Sequence, residues 1–178
     1  GVRHLCIIDT AGNAIGMISQ RNLLQHRARS ADMLGDEITK AADTEALATA
    51  YARVPEIASR LVEEGLDGLT IARFISSELR ALTARAAALA AEELAAEGHG
   101  PAPAAWCLLV LGSGGRGESL LGADQDNALI HAGATSDDAW FAKLGAKLAD
   151  RLDAAGVPRC TGEVMVVTPR WRGTADEW

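Results

Sequence analysis

The spacing of hydrophobic and polar positions changes twice along this chain and divides it into three stretches. Residues 1–27 hold two short apolar runs, HLCIID and AIGMIS, separated by TAGN, whose Gly-Asn pair favours a turn. The run QRNLLQHR then begins a helical pattern. This stretch predicts a strand–turn–strand–helix unit, which is too small to bury a core by itself.

The second stretch, residues 36–98, has helical spacing throughout. We expect a helix capped by Asp43, a second with Pro55 in its first turn and Gly65 beyond its end, and a longer third capped by Thr70. Apolar residues of the third helix form one buried stripe: Ile71, Phe74, Ile75, Leu79, Leu82, Ala86 and Leu89. We interpret the stretch as a helical bundle; a signalling lever between flanking domains is the alternative.

Strands and helices alternate in the third stretch, residues 104–178, which indicates an α/β layer. The predicted strands are WCLLVLG, NALIHA and EVMVV, and a glycine-rich bend follows the first. A helix is expected from Ser136 to about Ala155, with Gly156 and Pro158 ending it. The predicted fold class is therefore α/β, a mixed sheet with flanking helices that follows a helical segment and a ββα unit.

Composition and charge narrow the classes of function. The 178 residues are 48% apolar and 23% charged, as in ordinary globular proteins. A net charge of −7 argues against a broad nucleic-acid or anionic-membrane surface, and the sequence lacks the long apolar run of a membrane span. Three cysteines without C-x-x-C spacing predict reduced thiols in a cytoplasmic protein. Because the chain opens on a strand-like run and stops at Trp178, we expect it to be part of a longer protein.

The string LGSGGRGESLLGADQDNALI permits two interpretations. Gly112, Gly114 and Gly117 spell G-x-G-x-x-G, the dinucleotide-binding pattern, which requires a full helix after the glycines and an acid after the second strand. Only ESLLGA separates Gly117 from Asp124, and both Asp124 and Asp126 precede the second strand. The dinucleotide interpretation therefore fails, since the glycine pattern alone is weak evidence.

A triphosphate and its metal fit the same string better. At Gly112 and Ser113 a phosphate can approach backbone amides and a hydroxyl without obstruction by a Cβ atom, and Arg116 can offer a bidentate fork. Asp124 and Asp126 are two residues apart, so in an extended segment their carboxylates point to the same side. Such paired oxygen ligands suit Mg²⁺, which also binds substrate phosphates. An Asp-x-Asp pair alone would more often be a solvated turn.

The same string resembles the Gly-Ser and Asp-x-Asp signature of nucleotidyltransferases of the DNA polymerase β superfamily. It closely resembles bacterial nucleotidyltransferases that follow CBS or cyclic-nucleotide-binding sensor domains and are related to PII uridylyltransferase. The resemblance extends to GVPRCTGEVMVVTPRWRGTADEW and, more loosely, to the helices between 43 and 97. It implies the C-terminal half of a CBS module at 1–27, a helical connector at 28–103 and a nucleotidyltransferase-like domain at 104–178, truncated before the helical domain that follows in the family.

The resemblance also implies roles for individual residues. Gly112 and Ser113 would hold the triphosphate, and Asp124 and Asp126 would be catalytic and would bind Mg²⁺ or Mn²⁺. We assign phosphate contact to Arg116 from its charge and position. Further candidates are Glu118, Gln125 and Asn127 as residues that support the loop, Glu163 as a third carboxylate or else an exposed strand-end acid, and Ser19 and Asn22 at the positions where CBS modules contact a nucleotide.

These assignments predict a function. We expect transfer of a nucleoside monophosphate from a nucleoside triphosphate to an acceptor, with release of pyrophosphate. The resemblance implies a signalling protein as the acceptor and is compatible with a homodimer, because CBS modules normally pair. Two alternatives stay open: a catalytically inactive module that senses a nucleotide, and a structural scaffold without nucleotide affinity.

Overall fold

A computed structural model describes residues 4–19 and 33–178 of the chain. The chain divides into two compact units between residues 33 and 34. Within the described ranges, none of the helices combines the length and the apolar character that crossing a membrane requires.

The first unit contains an antiparallel hairpin. Strand β1 (His4–Ile8) pairs with β2 (Ala14–Ser19), with Cys6 opposite Met17. In the turn, the Asp9 carboxylate accepts hydrogen bonds from the amides of Asn13 at 2.8 Å and Ala11 at 2.9 Å. These bonds, that of Asn13 above all, hold the pKa of Asp9 below its usual value. The two predicted strands and their turn are therefore confirmed, whereas the predicted helix QRNLLQHR lies outside the described residues.

The second unit begins with four helices. They are α1 (helical over 34–40 within this unit), α2 (Thr44–Tyr51), α3 (Val54–Glu63) and α4 (Gly68–Leu94). Asp43 caps α2 as predicted, and its carboxylate accepts from the Ala46 amide at 2.8 Å. The predicted cap of α4 at Thr70 is wrong. Asp67 is the cap and accepts from the Thr70 backbone amide at 3.0 Å. A carboxylate just before the first turn accepts hydrogen bonds from the free amides there, and its negative charge is stabilised by the positive end of the helix dipole.

Helix α4 runs through the core of the second unit. Six of the seven residues of its predicted apolar stripe are buried, and Phe74 is partly buried. The same apolar cluster includes residues from α1, α2 and α3 and from the strands and loops as far as Val166. The helices and the α/β region therefore share one core rather than forming separate layers.

Helix α6 (Asp138–Ala154) packs along α4, and an ion-pair network joins the two. Glu93 of α4 contacts Lys147 at 2.6 Å and also pairs with Arg151. Hydrogen bonds from Lys147, and then from Arg151, lower the pKa of Glu93, although partial burial opposes them. The predicted start of α6 at Ser136 lies instead in a 3-10 turn, Thr135–Asp137, which precedes the helix.

Three strands form a mixed sheet in the order β3 (Trp106–Val110), β4 (Asn127–His131) and β5 (Arg172–Thr174). Strand β3 is antiparallel to β4, with Trp106 opposite His131 and Val110 opposite Asn127, and β5 is parallel to β4. The α/β class with a mixed sheet and flanking helices is confirmed, as are the first two predicted strands of this region.

The predicted strand EVMVV does not form. Residues 163 and 164 are irregular and residues 165–167 form a bend and a turn. Glu163 has a φ of +55°, a conformation that a strand excludes. Met165 and Val166 are both buried although they are neighbours, so burial in this run does not alternate as it would in a half-buried strand. The third strand is instead RGT, whose three residues carry no apolar pattern.

Candidate functional site

The glycine-rich string after β3 forms a single helical turn, α5 (Gly112–Arg116), where the sequence predicted a bend. Gly117 ends it with a φ of +75°. Just before the turn, the Leu111 amide donates to the Asp126 carbonyl at 2.8 Å. This bond prolongs the β3–β4 pairing and brings the Gly-Ser step beside the Asp-x-Asp segment.

Close contacts explain two of the glycines in α5. Gly112 has a φ of +55°, and a Cβ atom there would overlap Oδ2 of Asp126 and lie 3.1 Å from its Cγ. A Cβ atom at Gly115 would overlap the Val110 carbonyl oxygen. Only glycine fits such positions without strain. The Asp126 carboxylate therefore lies directly against the backbone of the turn.

Helix α4 holds this turn from the other side. The buried Ser76 hydroxyl accepts from the Ser119 amide at 2.9 Å, and Arg80 donates to the Gly114 carbonyl at 2.9 Å. The Ser113 hydroxyl lies 3.3 Å from that of Ser119. Sequence analysis missed Ser76 and Arg80; the available signal was a polar pair one helical turn apart beside an apolar stripe.

The two aspartates converge as their spacing predicted. Asp124 and Asp126 are half-buried and immediately precede β4. One oxygen of each lies, together with Sγ of Cys160, in a group whose three atoms are all within 4.8 Å of one another. Gln125, between the aspartates, is buried, and its amide nitrogen donates to the Ala149 carbonyl at 2.9 Å and the Val157 carbonyl at 3.0 Å. The intervening side chain thus anchors the segment in the protein interior.

Cys160 is the member of the group that sequence analysis did not select. Burial raises the pKa of its thiol, and hydrogen bonding to Asp126 and Asp124 raises it further, while the backbone amides of Val164 and Gly162 act in the opposite direction. The residue lies in a loop, in the stretch PRCTGE, rather than in an apolar run. Its position among turn residues was the local signal that Cys160 differs from a cysteine buried in the core.

Backbone bonds on both sides fix the Cys160 loop against the aspartates. The backbone amide of Gln125 donates to the Pro158 carbonyl at 2.9 Å, and the backbone amide of Asn127 donates to the Val164 carbonyl at 3.0 Å. The buried Asn127 side chain also accepts from the Val166 amide at 2.9 Å. Gln125 and Asn127 therefore make the contacts expected of residues that support the loop containing Cys160.

The other predicted site residues are not members of the group of three that the described residues form. Arg116 and Glu118 pair with each other at 2.9 Å, with 64% and 54% of their side chains exposed, so this contact holds the guanidinium only weakly. Glu163 is exposed and does not belong to the three-membered group found among the described residues. Ser19 ends β2 in the first unit, and Asn22 lies outside the described residues.

A mixed sheet with a Gly-Ser turn and paired carboxylates is the layout of a nucleotidyltransferase domain. Residues 52–178 match the family described as "Putative nucleotidyltransferase DUF294". Since the match spans well over half of the chain, the protein belongs to this family. No curated protein and no solved structure gives a match. The matched region starts ahead of α3, so it includes α4 with the serine and arginine that hold the turn.

Proposed function

We propose that the protein is a metal-dependent nucleotidyltransferase, which transfers a nucleoside monophosphate from a nucleoside triphosphate to an acceptor hydroxyl and releases pyrophosphate. The observation that carries the proposal is the convergence of Asp124 and Asp126 beside the Gly112–Ser113 step. Membership of the family supports the class of reaction.

The residues at the site fit a divalent cation such as Mg²⁺ or Mn²⁺. Asp124 and Asp126 offer oxygen ligands from neighbouring positions and are half-buried, so water does not fully screen them. When bound, such a cation neutralises charge on the phosphates during an in-line displacement. Asp126 is the better fixed of the two, because its carboxylate rests on Gly112 and its carbonyl accepts from Leu111.

The turn would bind the phosphates and hold them in line. Its glycines allow phosphate oxygens to approach the backbone closely, and the half-buried Ser113 hydroxyl is positioned by Ser119. Arg116 would exchange its surface ion pair with Glu118 for a phosphate, at little cost. A protein hydroxyl in a signalling pathway is the acceptor that the family resemblance suggests.

One observation favours a second candidate function, a nucleotide sensor without catalysis. In the described part of the chain, a thiol rather than a third carboxylate accompanies Asp124 and Asp126. The third strand, Arg172–Thr174, carries no acid. A third carboxylate commonly helps to activate the attacking hydroxyl, so its replacement would preserve nucleotide binding and slow transfer.

Calorimetric titration with ATP, GTP, CTP and UTP, with and without Mg²⁺ or Mn²⁺, tests the proposal. We expect metal-dependent binding of at least one nucleotide, and its loss in the Asp124→Asn/Asp126→Asn variant. Asp153→Asn, an identical change at an exposed acid of α6, is the matched control and should bind normally. Binding that needs neither metal nor the aspartates would overturn the mechanism. Pyrophosphate release with candidate acceptors then separates the enzyme from the sensor.

A further inference from the structure

We infer that Sγ of Cys160 is the third protein ligand of the cation bound by Asp124 and Asp126, which gives the site a preference for thiophilic divalent cations such as Zn²⁺ or Co²⁺ over Mg²⁺. The inference deepens the proposed function and rests on its metal site. It concerns a residue outside both the Gly-Ser and the Asp-x-Asp motifs.

The distances among the three side chains support a shared ion. Metal–oxygen bonds of about 2.0–2.2 Å and a metal–sulfur bond of about 2.3 Å place tetrahedral ligand atoms about 3.4–3.7 Å apart. The three candidate ligand atoms lie within 4.8 Å of one another. Side-chain rotations that move these atoms by at most about 1 Å would therefore complete the coordination.

The backbone around Cys160 also holds the sulfur in place. Gly162 lies beside it, since a Cβ atom there would be 3.5 Å from Sγ, so the sulfur lies between this backbone and the two aspartates. The loop itself is fixed on both sides of Cys160, through the Pro158 and Val164 carbonyls that accept from Gln125 and Asn127. The convergence is therefore built by the backbone rather than by a flexible side chain.

The ligand set decides which cations bind well. Mg²⁺ requires nearly octahedral oxygen coordination and gains little from sulfur, whereas thiolates favour softer ions such as Zn²⁺. On binding, the thiol proton is released to solvent and the sulfur donates its electron pair to the ion. Oxygen atoms of the triphosphate and water would fill the remaining positions.

Cobalt titration tests the inference directly. In a Cys6→Ser/Cys107→Ser background the two other cysteines, both exposed, are absent. Co²⁺ should then produce near-ultraviolet sulfur-to-cobalt charge-transfer absorption that saturates at one ion per chain. Cys160→Ser should abolish this absorption and weaken Co²⁺ binding by at least the roughly 10- to 100-fold that loss of an outer-shell partner costs. Mg²⁺ binding should change far less.

Cys160→Asp is the conservative variant, because it keeps a third ligand of similar size but with an oxygen donor. It should lose the charge-transfer absorption and bind Mg²⁺ more tightly than the parent, and circular dichroism should show that it folds. Absence of the absorption in the parent background would overturn the inference.

Nucleotide titrations on the same samples separate the two proposals. Mg²⁺-dependent nucleotide binding without sulfur-to-cobalt absorption would refute ligation by Cys160 and leave the transferase proposal standing. The absorption without any nucleotide binding would support ligation and refute the transferase proposal.

Discussion

Gly112→Ala is the substitution for which the structure makes the sharpest prediction. Two effects act at this position. The φ of +55° is a left-handed conformation, which costs a residue with a Cβ atom about 1–2 kcal/mol. The new methyl group would also overlap the Asp126 carboxylate oxygen, which must then move by roughly 1 Å, a displacement that can cost on the order of 100-fold in function.

Gly65→Ala separates these two effects. Gly65 also has a positive φ, +78°, but a Cβ atom there would meet nothing within 4 Å. Both variants should lose about 1–2 kcal/mol in chemical denaturation from the backbone conformation alone. Only Gly112→Ala should also lose metal-dependent nucleotide binding, by about 100-fold.

A double variant provides a second check. Asp126→Ala removes the oxygen that the new methyl group overlaps, so Gly112→Ala should destabilise the Asp126→Ala protein less than it destabilises the parent, a non-additivity expected of residues in contact. The reasoning is refuted if Gly112→Ala binds the metal and nucleotide as Gly65→Ala does, or if the double variant shows simple additivity.

Two further predictions concern α4. Ser76→Ala leaves the buried Ser119 amide without its acceptor and should cost about 1–3 kcal/mol in denaturation, whereas Ser77→Ala, at the exposed neighbouring position, should cost much less; equal losses would show that the hydrogen bond to the turn is unimportant. The pKa of Glu93 is lowered in the folded protein, so the stability that it contributes is present above its ordinary value of 4.5 and is lost as the pH falls through the lowered pKa. Glu93→Gln should therefore flatten the acid side of the stability profile measured by thermal unfolding, and an unchanged profile would contradict the assignment.

Short sequence patterns correctly predicted strands and a helix cap that depend on only a few consecutive residues. The strands of WCLLVLG and NALIHA and the cap at Asp43 formed as expected. The predicted strand EVMVV does not form, because Met165 and Val166 are buried as neighbours within a bend and a turn rather than in a paired strand. Strand β5 carried too short and too polar a sequence to be recognised, since its existence depends on β4 beside it.

In the candidate site, too, local spacing predicted one part, and contacts between distant segments determine the rest. The convergence of Asp124 and Asp126 follows from their spacing, and the structure bears it out. The approach of Cys160 and of Ser76 depends on contacts between segments that are distant in sequence. A local pattern can mark a polar position such as Ser76, but it does not say which distant segment that position contacts, because these contacts arise only when the core that α4 shares with the sheet has formed.

The two contacts from α4 to the glycine turn also determine which changes of length the protein tolerates. Ser76 and Arg80 hold the turn, while Glu93, further along the same helix, is paired with α6. Each residue inserted between these points would rotate one set of contacts by about 100° relative to the other and shift it by about 1.5 Å. This part of α4 therefore acts as a spacer of fixed length, in which an insertion or a deletion would break one of the two sets of contacts even at a solvent-facing position.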